Sequence, residues 1–277
     1  MENMRHGEYE TMIIKKTVEQ IEGIREAGKI VAEAIFRMAQ EAVPGNPTQK
    51  LENIAKQIFE KYGAQSAFLG YRPSRRTPAY PAYVCISLND VIVHGIPGPM
   101  EIRPGDLVSV DVGVRYNGFV GDAAATYIVQ GASPKAETLA KETYNALHKG
   151  IDAARPGGKI SDISAAIQKY IEVRGYSVVR DLVGHGVGIQ LHEEPQVPNF
   201  VDSSMTSGDI PLEPGMTIAI EPMVCEKDYK TTVDNDGWSV RTADGGLSAH
   251  FEHTIAINEN GIEILTLMED GSEPYVP

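Results

Sequence analysis

The sequence predicts an α+β fold built from two structurally similar halves, each a helix pair followed by β-hairpins. Helix punctuation is the first observation behind this: Pro44-Gly45 and Gly63 recur as Pro156-Gly157 and Gly175, all at an offset of 112 residues. Strand-like runs then follow each helix pair in the same order. Finally, 277 residues with 42% hydrophobic content can bury one large core. Residues 1–16 read as a short N-terminal arm and 17–277 as one domain.

The first helix is expected to open at Thr17, with Gln20 three residues later completing a capping box, and to bury Ile21, Ile24, Val31, Ile35, Met38 and Ala42. Pro44-Gly45 is expected to stop it. Thr48 is expected to cap a second helix, striped by Leu51, Ile54, Ala55, Ile58 and Tyr62 and closed by Gly63. Ser133-Pro134 opens the third, with Ala140, Tyr144, Leu147, Ile151 and Ala154 on its apolar face. After Pro156-Gly157, residues Ser161, Ile163, Ile167 and Tyr170 mark the fourth, which ends at Gly175.

Between the helix pairs, Leu107 to Val114 alternates: Val108, Val110, Val112 and Val114 share one face, Leu107, Ser109, Asp111 and Gly113 the other. Asn117-Gly118 is a type I′ turn signal. With those two residues as the loop, Tyr116 pairs with Phe119 and Gly113 with Asp122. Asp111 is then the diagonal neighbour of Asp122 on the same face, about 7–8 Å away between backbones. Taken alone, two aspartates beside a turn more often face water.

The segment Gly184-His185-Gly186-Val187-Gly188-Ile189-Gln190-Leu191-His192 places two histidines among glycines that allow close backbone approach. It is not a dinucleotide fingerprint, because Ile189 stands where the last glycine is needed, and it is not HExxH, because Gln196 lies four residues after His192. Met216 to Ile220 reads as a short strand that ends at Glu221-Pro222. Ser248 to Ile257 reads as one strand after the Gly245-Gly246 turn. Glu252 lies inside it, where an acidic residue needs a partner, a metal or a sheet edge. Each piece has a plain structural reading. Together, Asp111, Asp122, Glu221 and Glu252 carry a formal charge of −4, and with the neutral imidazole of His185 they form a set that two divalent cations would neutralise.

Lys+Arg 25 against Asp+Glu 38 gives a net charge of −13, which speaks against a broad nucleic-acid footprint and against DNA as a partner. No apolar stretch reaches membrane length, and the opening MENMRHGEYE has neither an apolar core nor a cleavage signature, so a cytoplasmic protein with no membrane partner is expected. Cys85 and Cys225 lie in no CxxC pattern and read as ordinary thiols.

The series Asn89-Asp90-Val91-Ile92-Val93-His94-Gly95-Ile96-Pro97, the Asp111/Asp122 pair, GHGVGIQLHEEP from Gly184, Glu221-Pro222-Met223-Val224 and Phe251-Glu252-His253-Thr254 closely resembles type I methionine aminopeptidases. The resemblance runs in order from about Thr17 to about Met268. It implies the pita-bread (creatinase/aminopeptidase-like) fold, two pseudo-symmetric halves around a central antiparallel sheet, with one catalytic domain over 17–277. It also implies a metallo-exopeptidase that removes the initiator methionine from nascent polypeptides when the second residue is small. By similarity, Asp111 chelates one ion, Asp122 and Glu252 bridge both, and His185 with Glu221 completes the other. His94 and His192 are then non-ligands beside the substrate. Two adjacent divalent cations lower the pKa of a shared water and stabilise the attacking and departing oxygens. In that chemistry Glu221 is the expected proton acceptor and His192 the donor to the developing oxyanion, while His94 orients the scissile amide or assists the leaving amine. Four carboxylates with one imidazole suit Mn²⁺, Fe²⁺ or Co²⁺ and accommodate Zn²⁺.

The resemblance maps the methionine pocket onto Tyr71, Tyr80, Cys85 and Trp238, apolar or aromatic walls for a thioether. For Trp238, packing after the Asp236-Gly237 turn is the plain alternative. The chain departs from its bacterial relatives at Leu191, where phenylalanine is frequent, at Phe68, where cysteine is common, and at Arg72 to Ala79, which looks like an insertion. That basic run reads as a solvated loop, with contact to the ribosome as the alternative. A monomer is expected. The nearest competing reading is the proline-directed branch, prolidase and aminopeptidase P, which shares the five ligands but carries a large preceding domain. A non-catalytic pita-bread binding module would not need the ligands. The type II branch fits poorly, since only a short gap separates His192 from Glu221.

Overall fold

The computed structural model describes residues 13–75, 77–201 and 209–277; most of the N-terminal arm and Arg76 of the basic run lie outside them. Thr17 starts the first helix as its capping box dictates, its hydroxyl accepting from the Gln20 N–H while the Gln20 side chain accepts from the Thr17 N–H. Helix α1 (Val18–Ala39) buries the stripe from Ile21 to Met38. It ends before Pro44-Gly45 is reached, so that pair is not its stop signal, and the buried Ala42 lies beyond it. Pro44-Gly45 instead shapes a tie: the Gly45 N–H donates to the Ile102 carbonyl and the Ile102 N–H to the Asn46 carbonyl. Helix α2 (Thr48–Tyr62) follows and closes on left-handed Gly63. Thr48 does not cap it; Pro47 holds the cap position, and the Thr48 hydroxyl bonds the Gly98 backbone.

The second half repeats the scheme. Helix α3 (Pro134–Ala153) is capped by Ser133, and α4 (Ile160–Glu172) begins 112 residues after α2. The tie recurs as well: the Gly157 N–H donates to Leu212 and the Leu212 N–H to Gly158. The repeated glycines therefore mark equivalent backbone turns.

The first half contributes β1 (Gln65–Ser66), β2 (Cys85–Leu88), β3 (Val91–Val93), β4 (Leu107–Tyr116) and β5 (Phe119–Ile128). The second contributes β6 (Ser177–Val178), β7 (Gly184–Gly186), β8 (Glu193–Val197), β9 (Thr217–Ile220), β10 (Met223–Cys225), β11 (Thr231–Val233), β12 (Val240–Thr242), β13 (Ser248–His250), β14 (Glu252–Asn258) and β15 (Gly261–Ile264). Strands of both halves join in one nine-stranded antiparallel sheet, ordered β1-β4-β5-β14-β9-β7-β8, with β2 on β4 and β15 on β14. The β4–β5 hairpin has the register that Asn117-Gly118 predicts, Tyr116 opposite Phe119 and Gly113 opposite Asp122. Both of its faces are buried. Helix α1 lies so close to one that a Cβ on Gly121 would sit 2.6 Å from the Gly28 nitrogen. On the other, the hydroxyls of Ser109 and Thr126 meet, and Thr126 also bonds His250.

The run from Ser248 to Ile257 is two strands rather than one, broken at Phe251. Strand β14 lies in the large sheet, whereas β13 joins β10 and β6 in a three-stranded one. Strands β9 and β10 make the same change of sheet across Glu221-Pro222. These neighbouring corners bring Glu221 and Glu252 together. A third sheet, β11-β12-β3, holds the chain on either side of Trp238 and immediately before His94. Among the described residues, no helix is long and apolar enough to cross a membrane.

Candidate metal centre

Every residue singled out for the site lines one cavity of about 330 Å³. Asp111 on β4, Asp122 on β5 and His185 on β7 meet Glu221 and Glu252 at the sheet-changing corners. His185 Nε2 lies 3.5 Å from Glu221 Oε1 and 3.9 Å from Asp122 Oδ2. Its Nδ1 lies 2.9 Å from the Gly186 carbonyl, an acceptor that fixes the proton on Nδ1 and leaves Nε2 facing the carboxylates. Ligand atoms of Asp122, His185 and Glu252 all lie within 4.8 Å of one another, and so do those of Glu221, His250 and Glu252. Asp111 belongs to neither triple; it faces Cys85 across the β2–β4 pairing and Ala124 across the hairpin.

Burial dominates the electrostatics. It pushes the Asp111 carboxyl up to about 7. Burial, reinforced by neighbouring carboxylates, lifts Asp122, Glu221 and Glu252 well above the usual range. The imidazoles move the other way: burial takes His185 and His250 down to about 3, and His94 and His192 to about 4. His185 is therefore neutral, and its contacts with the acids are not ion pairs. Asp111 Oδ1, Asp122 Oδ1, Glu252 Oε1 and His250 Nε2 are buried without a hydrogen-bond partner. Orphaned acceptors on converging acids call for a cation. The donor set fits one or more divalent ions, with hard oxygens predominating.

The apolar end of the cavity is aromatic. Tyr80 packs edge-on against Phe68 at 6.4 Å and against Trp238 at 5.1 Å between ring centroids, with its hydroxyl donating to the Gly95 carbonyl. Gly113 is bare because Phe68 occupies its side: an added Cβ would meet the ring at 2.5 Å. Tyr71 and Tyr80 both reach the cavity because the Tyr80 N–H donates to the Tyr71 carbonyl, and the Gly70 N–H to that of Tyr80, which draws the two ends of the basic run together. Pro73 of that run reaches the cavity rim. Asp236 receives the Trp238 and Ser239 N–H groups, so the turn aims Trp238 inward. His192 lies between Tyr71 at 5.0 Å and His185 at 4.2 Å between ring centroids, tilted against both rings. His94 has a left-handed backbone, φ 61°, and its ring meets Trp238 edge-on at 6.0 Å. The Gly95 N–H, bonded to Ser87 Oγ, pins it there.

The sequence reading missed His250, which is 1% exposed and has Nε2 3.7 Å from Glu221 Oε2. One local feature could have found it: His250 stands two residues before Glu252, on the same side of an extended chain.

Comparison with known proteins agrees with this architecture. The family model of metallopeptidase family M24 matches residues 22–259. A methionine aminopeptidase from Clostridium perfringens is 45% identical over 258 residues, covering 93% of this chain and all of that protein. The crystal structure of methionine aminopeptidase from Thermotoga maritima superimposes with a TM-score of 0.87 at 44% identity, over 92% of this chain and 99% of that one. A prolidase from Pyrococcus furiosus is more distant, with a TM-score of 0.71 and 25% identity, and 66% of its chain is matched. The shared pita-bread fold, the buried acidic cluster and the likeness across nearly the whole chain place this protein in metallopeptidase family M24, among the methionine aminopeptidases.

Proposed function

We propose that this chain removes the N-terminal methionine from polypeptides whose second residue is small, using Asp111, Asp122, His185, Glu221 and Glu252 to hold two divalent cations. The observation that carries this is the joining of two surfaces in one cavity: a convergent acid and imidazole cluster, and an aromatic slot closed by Tyr71, Tyr80, Cys85 and Trp238. The slot suits an unbranched thioether, which makes favourable sulfur contacts with aromatic edges. The burial of the cluster keeps bulk water from screening its charges.

The bound cations supply an acidic water and neutralise charge that develops on oxygen. The chain's residues do the rest. Glu221 receives the proton from the attacking water; the Asn199 side chain, donating to the Glu221 carbonyl, fixes its backbone. His192, neutral and wedged between Tyr71 and His185, donates a hydrogen bond to the oxyanion. His94, held against the pocket's tryptophan, orients the scissile amide or assists the leaving amine. Mn²⁺, Fe²⁺ and Co²⁺ suit the oxygen-rich donors, with Zn²⁺ accommodated, and nascent chains are the natural substrates.

A peptide panel tests this reading after chelation and readdition of metal. Met-Ala peptides should release methionine, chelation should abolish release, and X-Pro peptides should remain intact. Cleavage of X-Pro peptides instead would favour the proline-directed branch, and inertness toward both would favour a binding module.

A further inference from the structure

We propose that His250 is a ligand of this centre, its Nε2 supplying a second imidazole, beside His185, to an ion held by Glu221 and Glu252. The inference rests on the metal-centre reading and adds a residue to it. Ligand atoms about 2.1 Å from one ion lie about 3–4 Å from each other. His250 Nε2 is 3.7 Å from Glu221 Oε2, on the opposite oxygen from the one that His185 Nε2 approaches at 3.5 Å. Glu221 thus sits between two imidazoles. At 3.7 Å the contact is too long for a hydrogen bond, and Nε2 has no other partner although the residue is 1% exposed. A buried ring nitrogen left in this state, grouped with Glu221 and with Glu252, whose Oε1 is itself unpartnered, has the disposition of a ligand.

The position is also fixed. The His250 N–H donates to Thr126 Oγ1 at 2.9 Å, the Thr126 hydroxyl returns a bond to the His250 carbonyl at 2.8 Å, and His250 pairs with Met223 across β13 and β10. A nearby histidine provides the contrast. His253 directs Nδ1 to Thr266 Oγ1 at 2.7 Å and Nε2 toward Glu273, away from the cavity. A second imidazole would move the preference of the centre along the divalent series toward Co²⁺ and its successors relative to Mn²⁺.

The test uses the full chain loaded with two equivalents of Co²⁺ after chelation. In proton NMR, an imidazole bound through Nε2 leaves an Nδ1–H resonance that is strongly shifted by the cobalt and disappears in D₂O. Two such resonances are expected in the native protein and one in His250→Gln, together with weaker binding of one Co²⁺ by calorimetry. If two ions bind and the native protein shows a single shifted resonance, the assignment of His250 is overturned while the metal centre stands. Failure to hold a pair of Co²⁺ ions overturns both. Should the variant fold poorly, the native spectrum alone decides.

Discussion

Lys16 and Glu193 form an ion pair in which the side chains are only 1% and 2% exposed. The second Glu193 oxygen accepts the N–H groups of Ile189 and Gln190 at 2.7 and 2.8 Å. Lys16, two residues before the start of α1, therefore fastens the loop that carries Leu191 and His192, both of which line the cavity.

Removing one partner of a buried pair leaves an uncompensated charge. Lys16→Met should destabilise the fold by about 3–5 kcal/mol in urea unfolding. Because the loop loses its anchor, kcat should fall while metal content is retained. Native-like stability would contradict the role of this pair.

His192→Ala should lower kcat by about 10²–10³-fold, the loss typical of a missing oxyanion donor. Elemental analysis should find the metal content of the variant unchanged. Parallel loss of metal and turnover would make His192 a ligand instead.

In the metal-free chain, burial raises the Asp111 pKa to about 7, so this carboxyl titrates across neutrality, and burial with neighbouring carboxylates lifts Asp122, Glu221 and Glu252 well above the usual range. A cation must displace their protons, so affinity should rise with pH from about 6 to about 8, with protons released on binding. His185 and His250, pushed down to about 3, are already deprotonated there and add nothing to the slope. Calorimetry in buffers of different ionisation enthalpy measures the release. A flat or falling affinity would contradict the buried acids as ligands.

Gly113→Ala would drive a Cβ into the Phe68 ring. Overpacking of this kind costs about 1–3 kcal/mol. Because Phe68 braces Tyr80 in the slot, KM for Met-Ala peptides should rise more than kcat falls. Unchanged KM would separate Phe68 from the pocket.

The helices and the β4–β5 hairpin were legible in the sequence because local rules govern them. Thr17 with Gln20, Ser133-Pro134 and Asn117-Gly118 each fix a backbone geometry within a few residues, and the hairpin register that aligns Asp111 and Asp122 follows from the last of these. What escaped was set at long range. The break at Phe251 comes where Thr126, distant in the chain, bonds both backbone groups of His250 in place of a continuous ladder. Pro44-Gly45 read as a helix stop because its real partner, Ile102, also lies far along the chain. The pairing of Tyr71 with Tyr80 across the basic run left no local pattern at all.

Anomalous scattering from cobalt-loaded crystals tests the paired-ion centre most directly. Two peaks should appear, both within coordination distance of the shared carboxylates Asp122 and Glu252, one also beside Asp111 and the other beside His185 and Glu221. A single peak in fully loaded crystals, or peaks away from these five side chains, would contradict the account.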